Sequence, residues 1–233
     1  FMASASVISG KLARLVARCG YAHAYAERAV GLTGSINESH AGKDFIPGVA
    51  FSLEDLLQFG VANHTETVSE VSAAASGEAQ LEASLETVEQ GWADMEFVTL
   101  SHRDQKGVYI LGGLEAVLTL LEDNQVTLQT MMGSRFITGV QDAVEGWEKK
   151  LALLSETLDE WITVQRNWMY LETIFCAEDI QKQLPVEAQK FNLIDKTWKA
   201  TLKATNEDPK VISCIKDGPM LLHQFQHSNK TLE

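Results

Sequence analysis

Apolar residues recur along most of this chain at helical spacing, and the one stretch where the period changes is short. Ser52 stands before Leu53-Glu54-Asp55, an N-cap with acids in the first turn, and Gly60 ends that stretch. Asn63 then caps a second predicted helix, with Glu66 three residues on in the manner of a capping box. Its apolar stripe is Val68, Val71, Ala75, Leu85, Val88 and Trp92, weaker near Gly77. The other face carries Glu66, Glu70, Glu78, Glu82, Glu86 and Glu89. Next, the runs from Phe97 to Leu100 and from Val108 to Leu111 bracket a polar, Gly-containing loop and predict a hairpin, ended by Gly112-Gly113. A lone hairpin is marginal in water, so this one is expected to lie against helices. A further helix carries Leu114, Val117, Leu118, Leu121, Leu128 and Met131 and closes at Gly133-Ser134.

The strongest pattern follows. Val140, Val144, Trp147, Leu151, Leu154, Leu158, Trp161, Gln165, Trp168, Leu171 and Phe175 are spaced 4,3,4,3,4,3,4,3,3,4, and Gln165 is the single polar member. With no proline in the way, the seam predicts one helix of about 35 residues, some 50 Å long. Its tryptophans favour the spine of a bundle over a two-stranded zipper, because large aromatics suit irregular helix packing, and Trp147, Trp161 and Trp168 are expected to be buried. Pro185 suits the first position of another helix, with Ala188, Phe191, Ile194, Trp198 and Leu202 on one face. Asp208-Pro209 and Gly218-Pro219 mark turns before a last amphipathic segment.

The fold class these patterns predict is mainly α: an elongated helical bundle with one long spine helix and a small β-hairpin insertion. Residues 1–44 form a separate, unassigned N-terminal segment, in which Lys11 to Val30 reads as a helix and Gly31 to Asp44 as linker. Residues 45–233 form the helical region, with the hairpin near 96–112. The start at Phe1 reads as a cut from a longer chain or a cloning scar.

Charge sharpens the picture. Of a net −13, Phe51 to Leu100 contributes ten acids and no Lys or Arg, whereas Gln181 to Lys230 has eight Lys against five acids. An acidic chain is a poor fit to nucleic acid, which requires cationic phosphate contacts. No apolar run approaches the roughly 20 residues that span a bilayer, and no membrane partner is expected. The acidic stretch reads either as a solvated helix face or as a surface that docks on a basic partner. Cys19, Cys176 and Cys214, odd in number and far apart, predict free thiols in a reducing compartment. The sequons at Asn37, Asn63 and Asn229 read as chance matches.

A search for chemistry yields no candidate catalytic, cofactor-binding or metal-binding residue. The Gly-Lys pairs Gly10-Lys11 and Gly42-Lys43 lack the Ser or Thr that follows Lys in a phosphate loop, and the glycine spacing before it. His223 and His227 stand four apart, but no acidic or cysteine ligand accompanies them. The expectation is a non-enzymatic segment without cofactor.

The stretch from Trp161 through Gln165, Arg166, Trp168, Tyr170 and Leu171 to Phe175 resembles the signature of dynein heavy-chain linkers. Its continuation through Cys176, Gln183-Leu-Pro185 and Phe191 is similar to the same family, as are Phe51 to Leu57, Trp92 to Phe97 and Trp147 to Leu151. Thr173 stands where the family often has proline, and residues 1–44 match nothing familiar in it. The hairpin from Gly107 to Leu111 and the run Leu121 to Met131 look more like ciliary than cytoplasmic transport dyneins. The resemblance implies a force-transmitting linker, lying across an AAA+ ring of ATPase modules found further along the heavy chain and carrying its ATP-driven motion to the tail. The implied partners are that ring, the tail and its associated chains indirectly, and microtubules only through the full-length motor. The implied location is the cytoplasm and cytoskeleton, in the axoneme of a cilium or flagellum. The rival readings are a helical scaffold or interaction protein unrelated to motors, which the hairpin and the lack of internal repeats oppose, and an enzyme with an unfamiliar helical site.

Overall fold

A computed structural model describes residues 65–103 and 107–232. The N-terminal segment 1–44, the predicted caps Ser52 and Asn63, Cys19, and Lys106 in the hairpin loop lie outside the described residues. Among those described, the order is α1 (Thr65–Asp94), β1 (Val98–Ser101), β2 (Tyr109–Gly112), α2 (Glu115–Met132), α3 (Gln141–Phe175), α4 (Glu178–Gln183), α5 (Pro185–Glu207) and α6 (Met220–Leu232). Short 3-10 turns occupy Ile137–Gly139 and Val211–Ile215. The fold is mainly α with one small antiparallel hairpin, as the periodicity predicts.

The long helix ends at Phe175, and Pro185 opens α5 as the first-turn proline whose missing N–H would be unpaired anyway. Gly113 (φ +60°) and Gly218 (φ +66°) take left-handed backbone just after β2 and just before α6. The chain divides into two compact units. Of the described residues, the first holds 65–85 and 131–143, and the second 86–130 and 144–232.

In the first unit the weak middle of the α1 stripe acquires a reason. Gly77 lies directly under the Phe136 ring, where a Cβ would collide with it, so the local run of small residues makes room for an aromatic from another element. Ala74, not the predicted Ala75, is buried there. Glu78 is a correction to the solvated acidic face: it is 4% exposed, its carboxylate against Gly139. Burial first, and the Glu82 charge second, push its carboxyl above the usual carboxylate range.

The second unit holds the aromatic core. Trp92, Trp161, Trp168 and Trp198 are fully buried, and rings connect in series: Phe97 to Trp161 (5.3 Å), Trp161 to Phe225 (4.9 Å), Phe225 to Trp198 (6.4 Å), Trp198 to Trp168 (5.5 Å, stacked). Each such pair adds about 0.5–1.5 kcal/mol beyond area burial. Phe175 stacks on Phe191 at 5.1 Å, fastening the end of α3 to α5. Trp147 departs from its predicted burial. It is only half-buried, its Nε1 donating to Glu89 (2.8 Å) and Lys150 lying over its ring (4.5 Å). The seam also shifts. A 3.5-residue repeat drifts round a 3.6-residue helix, so toward the C-terminus Val164 and Glu172 are buried while Gln165, Leu171 and Phe175 are partly exposed.

Candidate functional site: the seat of the hairpin

The hairpin is where helices of the second unit are tied together by polar side chains. β1 and β2 pair with Val98 opposite Gly112 and Ser101 opposite Tyr109. Leu111 and Phe97 are buried, whereas Val98 and Leu100 point out. Gln165, the lone polar residue of the α3 seam, faces β2 and closes both backbone groups of Leu111. Its Oε1 accepts from the Leu111 N–H and its Nε2 donates to the Leu111 carbonyl, both at 2.8 Å. A side-chain amide thus replaces the missing neighbour strand of a two-stranded sheet.

At the turn end, Glu172 is the anchor. It is 5% exposed on α3, and its Oε2 accepts from Arg103 Nη1 at 3.0 Å. The His102 Nε2 lies 3.5 Å from the same oxygen, within ion-pair reach but outside hydrogen-bond geometry. The His102 ring is buried against Trp168 (5.0 Å), whose Nε1 donates to Asp195 on α5 (3.0 Å). Arg103 has φ +48°, a left-handed conformation that costs a non-glycine residue roughly 1–2 kcal/mol, offset here by the buried carboxylate its guanidinium meets. Cys176 donates weakly to Glu172 Oε1 (3.7 Å), and burial together with that carboxylate pushes its thiol up.

The other margin of the hairpin is held by α5 and the strand-like residues after it. Thr99 Oγ1 donates to Asn206 (2.7 Å), the Phe97 N–H to the Pro209 carbonyl (2.7 Å), and the Val211 N–H to the Met95 carbonyl (3.0 Å). A shallow cavity of about 240 Å³ opens beside this junction, lined among others by Thr205, Asp208, Lys210, Lys216 and Gln224. Cys214 in its wall has its thiol pushed up to about 12 by burial.

The surfaces singled out from sequence fare differently. In the polar loop of the hairpin, His102 is buried and Arg103 is committed to Glu172, so these two hold the hairpin down. On α1, Glu66, Glu70, Glu86 and Glu89 are exposed but Glu78 is not. His223 and His227 are both exposed on α6. Among the described residues no three His, Cys, Asp or Glu side chains stand close enough to share a metal ion, and no helix is long and apolar enough to cross a membrane. Asn229 is buried and donates to the Glu160 carbonyl (3.1 Å) and carboxylate, which uses up the sequon's amide for packing. Sequence reasoning missed Glu172 and His102 as anchors. The one signal in the pattern was Gln165, an amide in an apolar seam.

Residues 33–233 match the family model described as dynein heavy chain, N-terminal region 2. The chain is 43% identical over 185 residues to dynein axonemal heavy chain 6 of Homo sapiens, covering 79% of this chain and 4% of that one. It is 36% identical over 192 residues to dynein axonemal heavy chain 12 of Rattus norvegicus (82% and 6%) and 38% over 184 residues to dynein axonemal heavy chain 2 of Mus musculus (79% and 4%). It therefore spans only 4–6% of the length of these relatives. With a match over most of its length, and a helical fold that carries the hairpin where the change of period placed it, the chain belongs to the dynein heavy chain family, of which it is an N-terminal region.

Proposed function

We propose that residues 45–233 are a force-transmitting linker segment of an axonemal dynein heavy chain. On this reading the segment passes ATP-driven movement of an AAA+ ring elsewhere in the same chain to the tail and, through the whole motor, to microtubules in a cilium or flagellum. The catalysis belongs to the ring. The observation that carries the reading is α3: 35 residues of uninterrupted helix, clamped along its last half by aromatic stacking and by the hairpin at Gln165 and Glu172. A helix held on several sides resists bending, and that is the property a lever requires. The axonemal names of the relatives support the ciliary setting. A scaffold unrelated to motors is disfavoured by the family match.

The test is made in the full-length heavy chain. Ala152 is exposed on α3, and proline there costs about 3 kcal/mol of helix and kinks it without touching the core. Ala152→Pro should slow microtubule gliding while ATP turnover persists, and Ala152→Ser should restore velocity. Undiminished velocity with the proline in place would refute the lever.

A further inference from the structure

The outer face of α5 combines two features that are unusual together on this acidic chain. Val186 and Leu193 are 58% and 66% exposed, and with exposed Ala200 they recur every seven residues, forming an apolar stripe along the helix. Lys190 flanks the stripe on one side, Lys196 and Lys203 on the other, all exposed. Lys203 has a loose partner in Glu207 (3.9 Å, both side chains about two-thirds exposed), a contact that contributes little. By contrast, Lys199, on the side of α5 toward α3, is tied to Asp195 at 2.8 Å. The inner side of the same helix is saturated by Phe191, Ile194, Trp198 and Leu202, so the outer stripe is not needed for the fold.

We propose that this face is a docking surface for an acidic amphipathic helix of a partner protein. The spacing sets the shape: apolar positions seven apart, with cations at their shoulders, fit a second helix whose apolar seam meets Leu193 and whose flanks carry Asp or Glu. Charge sets the sign. The lysines attract an acidic helix, whereas the acidic remainder of the chain, with a net −13 overall, repels bulk polyanions such as nucleic acid and anionic membrane. Three lysines on one helix, separated by apolar residues, suit carboxylates beside a seam better than a continuous phosphate backbone. This surface is distinct from the hairpin seat and independent of the lever reading.

The probe is a synthetic 21-residue helix with Leu at heptad positions and Glu at the flanks, labelled with a fluorophore, titrated with the 233-residue chain at low salt. A matched helix with Lys in place of Glu, a 20-nucleotide single strand and phosphatidylserine vesicles are titrated beside it. The acidic helix should bind, and Lys190→Glu with Lys196→Glu should weaken it on the order of tenfold or more. Leu193→Asp should abolish binding while leaving the melting curve and Trp fluorescence unchanged. Equal binding of the Lys helix, equal binding by the charge-reversed variant, or tighter lysine-dependent binding of the oligonucleotide or vesicles would each overturn the proposal. So would self-association of the chain that Leu193→Asp abolishes, because the occupant would then be a second copy.

Discussion

Gln165→Leu is the substitution that most directly tests how the hairpin is held. Leucine completes the apolar seam of α3 and is nearly the same size, so from helix periodicity alone it should stabilise. The structure predicts the opposite. Leu111 is 4% exposed, and its N–H and carbonyl are both satisfied by the Gln165 amide at 2.8 Å. Leucine leaves both orphaned beside the core, at about 1–3 kcal/mol each. The apolar side chain returns about half of one such loss, since position 165 is only partly buried. The net is a local loss of roughly 2–4 kcal/mol, which raises the opening equilibrium of β2 by about 30- to 1000-fold. Native-state amide exchange is the appropriate assay, because local opening is read residue by residue and no two-state unfolding of the whole chain is needed. The Leu111 amide should exchange faster by that factor, with α6 protected as before. Gln165→Glu should fall between, since a carboxylate still accepts from the Leu111 N–H but has nothing to donate to its carbonyl. Unchanged exchange at Leu111 in Gln165→Leu would show that the paired amide does not hold the hairpin.

Two further outcomes follow from the burial pattern. Trp161→Ala should cost about 3–5 kcal/mol in chemical denaturation, whereas Trp147→Ala, half-buried and bonded to an exposed Glu89, should cost well under half as much; equal losses would mean that the seam is buried uniformly. Glu78→Gln should stabilise the protein at neutral pH. The folded-state pKa of Glu78 is raised, so its contribution is complete below the ordinary carboxylate range and is lost as pH rises through the raised value. The gap between variant and parent should therefore close on acidification, and a gap that is constant or widens toward low pH would contradict the burial of this carboxylate.

The helices and the hairpin were legible because each rests on local spacing. The 4,3 seam, Pro185 and the glycine pairs are all readable without knowing what lies opposite. What the pattern could not show depends on a partner distant in sequence. Glu172 looks like any acid on a helix, four residues past Trp168, and becomes a core anchor only because Arg103 arrives from the hairpin 69 residues earlier. Glu78 follows the same logic: its face reads as acidic and solvated until the turn at Gly139 covers it. Trp147 errs the other way. It obeys the spacing, yet a ring nitrogen that bonds an exposed carboxylate has to stay near water.

The family was legible only through resemblance, because an apolar helical seam looks alike whatever the helix is for. What physics adds is where along α3 the stiffness is concentrated. From Leu151 to Leu158 the helix is held by apolar contact, which is non-directional and tolerates small rotations about the axis. From Glu160 onward the contacts become directional: Asn229 on Glu160, Leu111 on Gln165, Asp195 on Trp168, Arg103 on Glu172. Hydrogen bonds weaken steeply with misalignment, so four of them from four different segments fix the azimuth of the last 16 residues as apolar packing alone would not. A segment proposed to transmit movement is held more rigidly where directional contacts fix it in this way than where apolar packing alone holds it. The proline at Ala152 lies in the apolar stretch, and the leucine at Gln165 lies among the directional contacts. Their effects on exchange and on motility therefore separate bending of the helix from loosening of its clamps.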